Sequence, residues 1–244
     1  MTVVALPTRK DEGFRYADIP ALTALWPVVV ETITVAAGER RALSIVSTGD
    51  AAIVRDLAIT LAAGASFDLR ILSAGSGYGR IAVRVELGAG AAFTLGAAQL
   101  CSGAHTLEVV SEVFHAGPAA TSQQTVRSVV GGGGVVNYLG KVSVARGADG
   151  TDGSQSVRAM LLDRHSTANA KPELEIYADD VKCAHGCAVG ELDQGALFYM
   201  ASRGIPPALA KRLMLQAFVS EAFVGAADED ELLAGALAAL EAML

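Results

Sequence analysis

The chain has 244 residues, 52% of them hydrophobic and 18% charged, with a formal net charge of −7. So apolar a composition excludes disorder over most of the length, and a chain of this size buries a sizeable core. The acidic balance, with no basic cluster beyond Arg40 and Arg41, leaves no phosphate-neutralising surface, so nucleic acid is not expected as a partner. Aromatics are scarce at 5% while glycines number 26, a composition that points to thin aliphatic elements joined by many tight turns, and hence to β architecture.

Residues 1–30 read as a short irregular segment. MTVVALPTRKDEGF lacks a basic stretch followed by an apolar stretch and a small-residue cleavage site, so export is not expected. ALTALWPVVV is cut short by Pro27 and Glu31, and no uncharged run is long enough to span a membrane. Three cysteines argue against a disulfide framework and for a reducing compartment, so the expected location is cytoplasmic.

A repeat then takes over. Gly38, Gly64 and Gly90 are spaced by 26 residues, and Gly117 follows 27 later. ITVAAGERRALSI (33–45), ITLAAGASFDLRI (59–71) and VELGAGAAFTLGA (85–97) align without gaps, with apolar residues five and three before the glycine and five after it. VSVARG (142–147) is a fainter copy. An antiparallel sandwich in a Gly-rich chain and a parallel solenoid both make strand, turn, strand units. Only the solenoid requires one register of turn glycine and apolar residue in every cycle, because equivalent side chains stack into ladders. The expected fold is mainly β, a right-handed parallel β-helix over residues 31–190 of roughly six coils, about 28 Å tall.

Residues 191–244 switch to helical periodicity. Leu192, Ala196, Leu197 and Met200 share a face before Gly204, a helix C-cap. A second helix opens at Pro206 and Pro207 and carries Ala210, Leu213, Met214, Ala217 and Phe218 on one side. After Gly225, DEDELLAGALAALEAML begins with acids suited to a helix N-terminus. These helices either cap the solenoid or dock a partner.

Most candidate chemistry reduces to structure. GGGG (131–134) and SAGSGYGR (73–80) lack the spacing of phosphate-binding loops and read as turns. His105, His115 and His165 have no nucleophile elbow or metalloprotease pair around them, and read as surface or ladder histidines. Asp179 and Asp180 face opposite ways if extended, and one of them suits a turn. Cys101 is isolated and reads as a buried, inert thiol. The exception is DDVKCAHGCAVG (179–190). On a strand, Cys183, His185 and Cys187 all point to one face, giving three soft-metal ligands where a closed site needs four. Lys182 and the histidine are expected to favour thiolate, and a second chain would complete the site.

The same residues carry a resemblance. KPELEIYADDVKCAHGCAVGELDQGALFYMASRGI (171–205) resembles the C-terminal signature of the SufB/SufD family of iron-sulfur cluster assembly proteins, on its SufD branch. Upstream, residues 125–162 are similar to a family segment represented here by Gly140, Val142, Val144, Thr151 and Gln155. The resemblance covers about residues 30–225 and is strongest after residue 110. It implies a parallel β-helix with C-terminal helices, working as a non-catalytic scaffold that pairs edge to edge with SufB and holds the SufC ATPase through its helices. It further implies a role in iron acquisition and in a nascent iron-sulfur cluster site shared with SufB. His185 would be the residue facing that junction, with Cys183 beside it as a second metal ligand and no role carried over to Cys187. KCAHG stands where SufB-type chains have an acidic, histidine-bearing stretch, and the N-terminal region is shorter than in longer relatives. The competing readings are a structural β-helix homodimer without metal and a carbohydrate-active β-helix enzyme, the latter disfavoured by the sparse aromatics.

Overall fold

A computed structural model describes residues 5–75 and 77–244. The first four residues of the stretch weighed for export, and Ser76 in the SAGSGYGR turn, lie outside the described residues.

The strands form two parallel sheets of six. The first stacks β1 (Val30–Val35), β3 (Ile53–Leu61), β5 (Gly79–Leu87), β7 (Thr106–His115), β9 (Val135–Val144) and β11 (Thr167–Ile176) in that order. The second stacks β2 (Arg40–Ser47), β4 (Ser66–Gly75), β6 (Ala92–Ser102), β8 (Thr121–Gly131), β10 (Asp152–Leu161) and β12 (Lys182–Glu191). Odd and even strands alternate between the sheets, so each coil contributes one strand to each, as a solenoid of about six turns.

The repeat read from the glycines is the stacking register itself. Ile33, Ile59, Val85, Val113, Val142 and Leu174 are successive partners in the first sheet. Leu43, Leu69 and Leu95 begin the corresponding ladder of the second. These residues face each other inside, where Leu57, Phe67, Phe93 and Val126 complete an aliphatic core with few rings.

Gly38, Gly64 and Gly90 take positive φ values of 69°, 67° and 64° at the turn between sheets. Each N–H bonds upward to the next coil: Gly38 to the Ala63 carbonyl (3.1 Å), Gly64 to Ala89 (2.8 Å) and Gly90 to Pro118 (2.8 Å). The next rung is Ala119, at φ 56°, bonding to Asp149 O, followed by Gly150 bonding to Asp180 O. Gly117 is therefore not the fourth turn position, whereas Gly147, at φ 78° with the Ala148 N–H bonded to Ala145 O, repeats the turn of the lower coils while Gly150 takes over the upward bond. The later coils lengthen at this corner while the strands keep their ladders.

Before the first strand, a 3-10 turn (Glu12–Phe14) and a short helix α1 (Ile19–Thr23) interrupt the irregular segment. This segment covers the outer face of the first sheet. There the buried Arg80 pairs with Glu108 at 2.6 Å, donates to Gly13 O and lies against the Phe14 ring.

The outer face of the second sheet is covered by helices. α2 (Gln194–Ser202) opens on Asp193, whose carboxylate accepts from the Gly195 N–H. α3 (Pro207–Ser220) starts at the two prolines, and α4 (Glu229–Glu241) starts on three acids. Leu215, Val219, Ala222 and Phe223 meet Leu72, Leu100 and Val129 of the sheet together with Leu232, Ala236 and Leu240 of α4. The buried stripe of α3 is thus turned from the expected one: Leu213 and Ala217 are exposed. This helix is apolar around most of its girth, so its sequence alone did not choose the face. Two arginines fasten the helices down. Arg70 donates to Ala222 O at 2.9 Å, and the buried Arg127 pairs with Glu221 at 2.6 Å.

The end of α3 approaches so closely that a Cβ on Gly96 would lie 1.9 Å from Ala222 O. Gly96→Ala is expected to destabilise the protein by about 1–3 kcal/mol, the range for overpacking, measured as a lower urea midpoint.

Candidate functional site

The upper end of the solenoid is a rim of two strands, β11 and β12, each with a partner on one side only. Among the described residues the rim exposes Ile176, Tyr177 and Val189, large apolar side chains beside unpaired backbone, which is the chemistry of an edge awaiting another strand.

β12 carries the three candidate ligands. Its register against β10 pairs Cys183 with Gly153, His185 with Gln155 and Cys187 with Val157. All three of these β10 residues are buried while the alternate positions are not, so Cys183, His185 and Cys187 continue inward-facing ladders. They differ from lower rungs because nothing stacks above them. His185 and Cys187 are exposed, and Cys183 is half-buried against the interior core.

The His185 ladder changes chemistry as it climbs: Leu43, Leu69, Leu95, then Gln124, Gln155 and His185. The polar rungs sit in a buried network that spans the two sheets. Ser111 Oγ donates to Gln124 Oε1 at 2.6 Å, the Tyr138 hydroxyl donates to the same oxygen at 3.2 Å, and Gln155 Nε2 donates to Tyr138 Oη at 3.5 Å. Gly140 makes room for this phenol, since a Cβ there would lie 2.2 Å from Tyr138 Oη. Burial raises the Tyr138 pKa, keeping the hydroxyl protonated as a donor. The Cys183 ladder is polar too: below Gly153 lies Ser122, whose Oγ is 2.9 Å from His115 Nε2.

The thiols do not behave as expected. Desolvation pushes the Cys183 thiol above its ordinary pKa, and the Asp152 carboxylate adds to the shift against a weaker opposing bond from the Gly153 backbone. Cys187 is also raised by desolvation. Lys182 alternates to the other face of the strand and does not reverse this. Both thiols are therefore protonated at neutral pH until a metal or a base takes the proton. Among the described residues, no three His, Cys, Asp or Glu side chains gather into a group that could hold a metal ion. The strand aims its ligands one way but spaces them along the edge, about 6.7 Å between alternate residues.

The remaining candidates are structural. Asp179 and Asp180 lie in a bend rather than a strand, and Asp180 O closes the turn from Gly150. Cys101 is fully buried, with its thiol pushed up to about 11 by desolvation. Gly132 and Gly133 form a turn in which the Gly132 N–H is already bonded to Asp163 Oδ2 at 2.6 Å. His165 is exposed and His115 is a ladder residue. Gln124, Ser111 and Tyr138 were not singled out in the sequence. The signal available was the position five residues after each turn, which changes from Leu to Gln once the lengthened corner is allowed for.

Comparison with known proteins completes the picture. The family described as "SUF system FeS cluster assembly, SufBD core domain" matches residues 23–218, most of the chain. The chain belongs to the SufB/SufD family. Its likeness to proteins named SufD places it on the SufD branch. It is 38% identical over 108 residues to the iron-sulfur cluster assembly protein SufD of Escherichia coli, covering 44% of this chain and 26% of that protein. It is 30% identical over 120 residues to the SufD of Bacillus subtilis, covering 48% and 27%. A chloroplastic protein of Arabidopsis thaliana, ABCI7, is 37% identical over 123 residues, covering 50% and 26%. The chain matches about a quarter of the length of these relatives. Membership connects this SufD-branch chain to iron-sulfur cluster assembly, and among the described residues no helix is long and apolar enough to cross a membrane.

His115 gives this interior a pH signature. Desolvation lowers its pKa to about 4, against a weaker opposing contact with the Ala120 backbone. The unfolded imidazole, near 6.5, binds the proton more readily, so stability is full above about pH 6.5 and falls as pH drops toward about 4. The loss is on the order of 3 kcal/mol, measured by urea unfolding across that window, and His115→Gln should flatten it.

Proposed function

We propose that this chain is a scaffold subunit of the SUF machinery, without catalytic activity of its own, in which the β11/β12 rim pairs with a SufB-like sister chain. His185, with Cys183 beside it, lends ligands to iron or a nascent iron-sulfur cluster at the seam, and the sister chain supplies the rest. The cluster is transient cargo, not a resident cofactor. The observation that carries this reading is His185, the last rung of an inward ladder, standing exposed on a strand edge with no strand stacked above it among the described residues. An imidazole held there meets a second chain wherever that chain extends the sheet, and one chain alone falls short of a closed ligand set.

The functional division follows the chain: a short N-terminal segment over residues 1–30, whose described part covers the first sheet, the ladder scaffold over 31–190, and a helical partner platform over 191–244. Phe198 and Tyr199 on α2 are 78% and 59% exposed, and these two aromatics are the proposed anchors for a SufC-like ATPase. Because Arg127 and Arg70 tie the end of α3 to strands that continue to the rim, a load applied by two closing ATPase subunits would be felt as strain at the seam. That strain opens the site to iron and sulfide. Three unpaired cysteines suit the reducing cytoplasm in which such chemistry takes place.

His185→Ala should abolish cluster formation while sister chain and ATPase co-purify as before. Clusters maturing normally in that variant, measured by anaerobic reconstitution and visible absorption, overturn the ligand role. Iron bound by the isolated chain as tightly as by the paired one would contradict a shared site, and iron bound by neither would favour a metal-free homodimer. Phe198→Asp should cost the ATPase about thirtyfold or more in affinity, as for a central interface aromatic, while leaving the sister chain bound; pull-down and titration calorimetry measure both.

A further inference from the structure

The buried network beneath the rim has one loose end that faces the proposed ligand. Ser111 Oγ donates to Gln124 Oε1, and the Tyr138 hydroxyl, 3.2 Å from that oxygen and 3.0 Å from Ser111 Oγ, has its single proton to spend within this group. With its proton spent there, the Tyr138 oxygen accepts, and this turns the Gln155 amide so that Nε2 faces the phenol. Gln155 Oε1 is left as an acceptor with no partner, in a side chain only 2% exposed. Gln124 Nε2 is also unpartnered, yet the two stacked amides do not bond to each other. A buried acceptor without a donor is costly, so a donor within reach is drawn to it.

The residue one strand step above is His185, in register and on the same face, with an exposed imidazole free to turn. Resting on the reading of His185 as a ligand, we propose that Gln155 is its positioning residue: the buried carboxamide oxygen accepts the N–H of one ring nitrogen, fixing tautomer and ring orientation and leaving the other nitrogen's lone pair for iron. Histidines that bind metals are commonly held in this way by an acceptor behind the ring. Here the acceptor is itself oriented by a chain of bonds from Ser111 through Gln124 and Tyr138, so the imidazole is set by the interior of the solenoid and not by the rim alone.

The test is the histidine tautomer in the full chain, labelled with nitrogen-15 and observed at about pH 8.5, well above the ordinary imidazole value of about 6.5. The His185 signals are assigned by their loss in His185→Ala. The wild type should show His185 in one tautomer, Gln155→Leu should return it to the mixture of a free imidazole, and Gln155→Glu, which keeps an acceptor, should hold the single tautomer. The unchanged signals of the other three histidines report that the variants remain folded, and Gln155→Met, closer in shape, serves if the leucine variant does not fold. A free mixture in the wild type overturns the proposal, as does a single tautomer that survives loss of the acceptor. With Fe(II) added anaerobically to the chain paired with its sister, Gln155→Leu should weaken retention about tenfold to a hundredfold, and the glutamate variant should restore it. If His185→Ala still matures clusters while the wild-type tautomer is fixed, the ligand reading fails and the hydrogen bond stands.

Discussion

Every coil of a parallel solenoid satisfies its backbone with the coil above it, so the last coil has nothing to bond. Each of the two stacks in this protein is in register from the first strand to the sixth, and that regularity makes the unmatched edge unavoidable. A lone parallel stack therefore ends in two rows of unused N–H and C=O groups, a hazard that natural sheets blunt with charge, proline or a covering element. Here β12 carries small residues and, in Cys183, His185 and Cys187, three side chains of metal-ligating type at its upper edge, and β11 leads into Ile176 and Tyr177, both exposed. That composition invites a partner. On the proposed reading, this edge is where the fold and the chemistry of iron-sulfur assembly meet.

The ladders decide what is offered there. Aliphatic rungs at the lower end hold the coils together, and the middle coils are gripped from outside by the N-terminal segment on one sheet and by α3 and α4 on the other. With cohesion supplied in those places, the upper interior tolerates polar rungs, and Leu95 gives way to Gln124 and then Gln155. Burying amides is favourable only when their groups are bonded, and Ser111 and Tyr138 reach across from the opposite sheet to satisfy Gln124 Oε1 and Gln155 Nε2, leaving Gln124 Nε2 and Gln155 Oε1 without partners. The parallel route through Ser122 and His115 beneath Cys183 repeats the pattern. Polar interior, sheltered thiol and open rim are consequences of one gradient along the stack.

The sequence made the lower half of this arrangement legible because three successive coils have the same length. Gly38, Gly64 and Gly90 announce a period, and the apolar positions around them name the inner face before any coordinates are considered. Legibility falls where the corner lengthens. Gly117 kept the count but not the geometry, since Ala119 takes the left-handed turn position, and the two glutamines were hidden by the same drift. The strand carrying Cys183, His185 and Cys187 was readable from alternation, and its resemblance to the family signature is what singles out His185 as the proposed ligand. The thiol environment was not, because nearness of Lys182 in sequence says nothing about which face it occupies, and desolvation by the core outweighs it. The helix starts at Asp193 and Pro207 follow local capping rules, whereas the face of α3 depended on Gly96, a distant residue that permits contact.

A ligand placed on a ladder differs in kind from one placed on a loop. The position of a loop histidine is set by a few local torsions, whereas the His185 backbone is fixed by β10, which is fixed by β8, and so on to the base of the stack. Two such stacks meeting rim to rim bring their top rungs together with the precision of a strand spacing, about 4.8 Å, without either chain having to close around the cargo. On the proposed reading, the incomplete ligand set in one chain is an advantage, because iron or a nascent cluster would be held firmly only while the seam is shut. Helices packed on the outer face of the same sheet would give a partner a lever on that seam. A rigid scaffold with a divided site can therefore both build a cluster and let it go, which a closed metal site within one chain cannot do without unfolding part of itself.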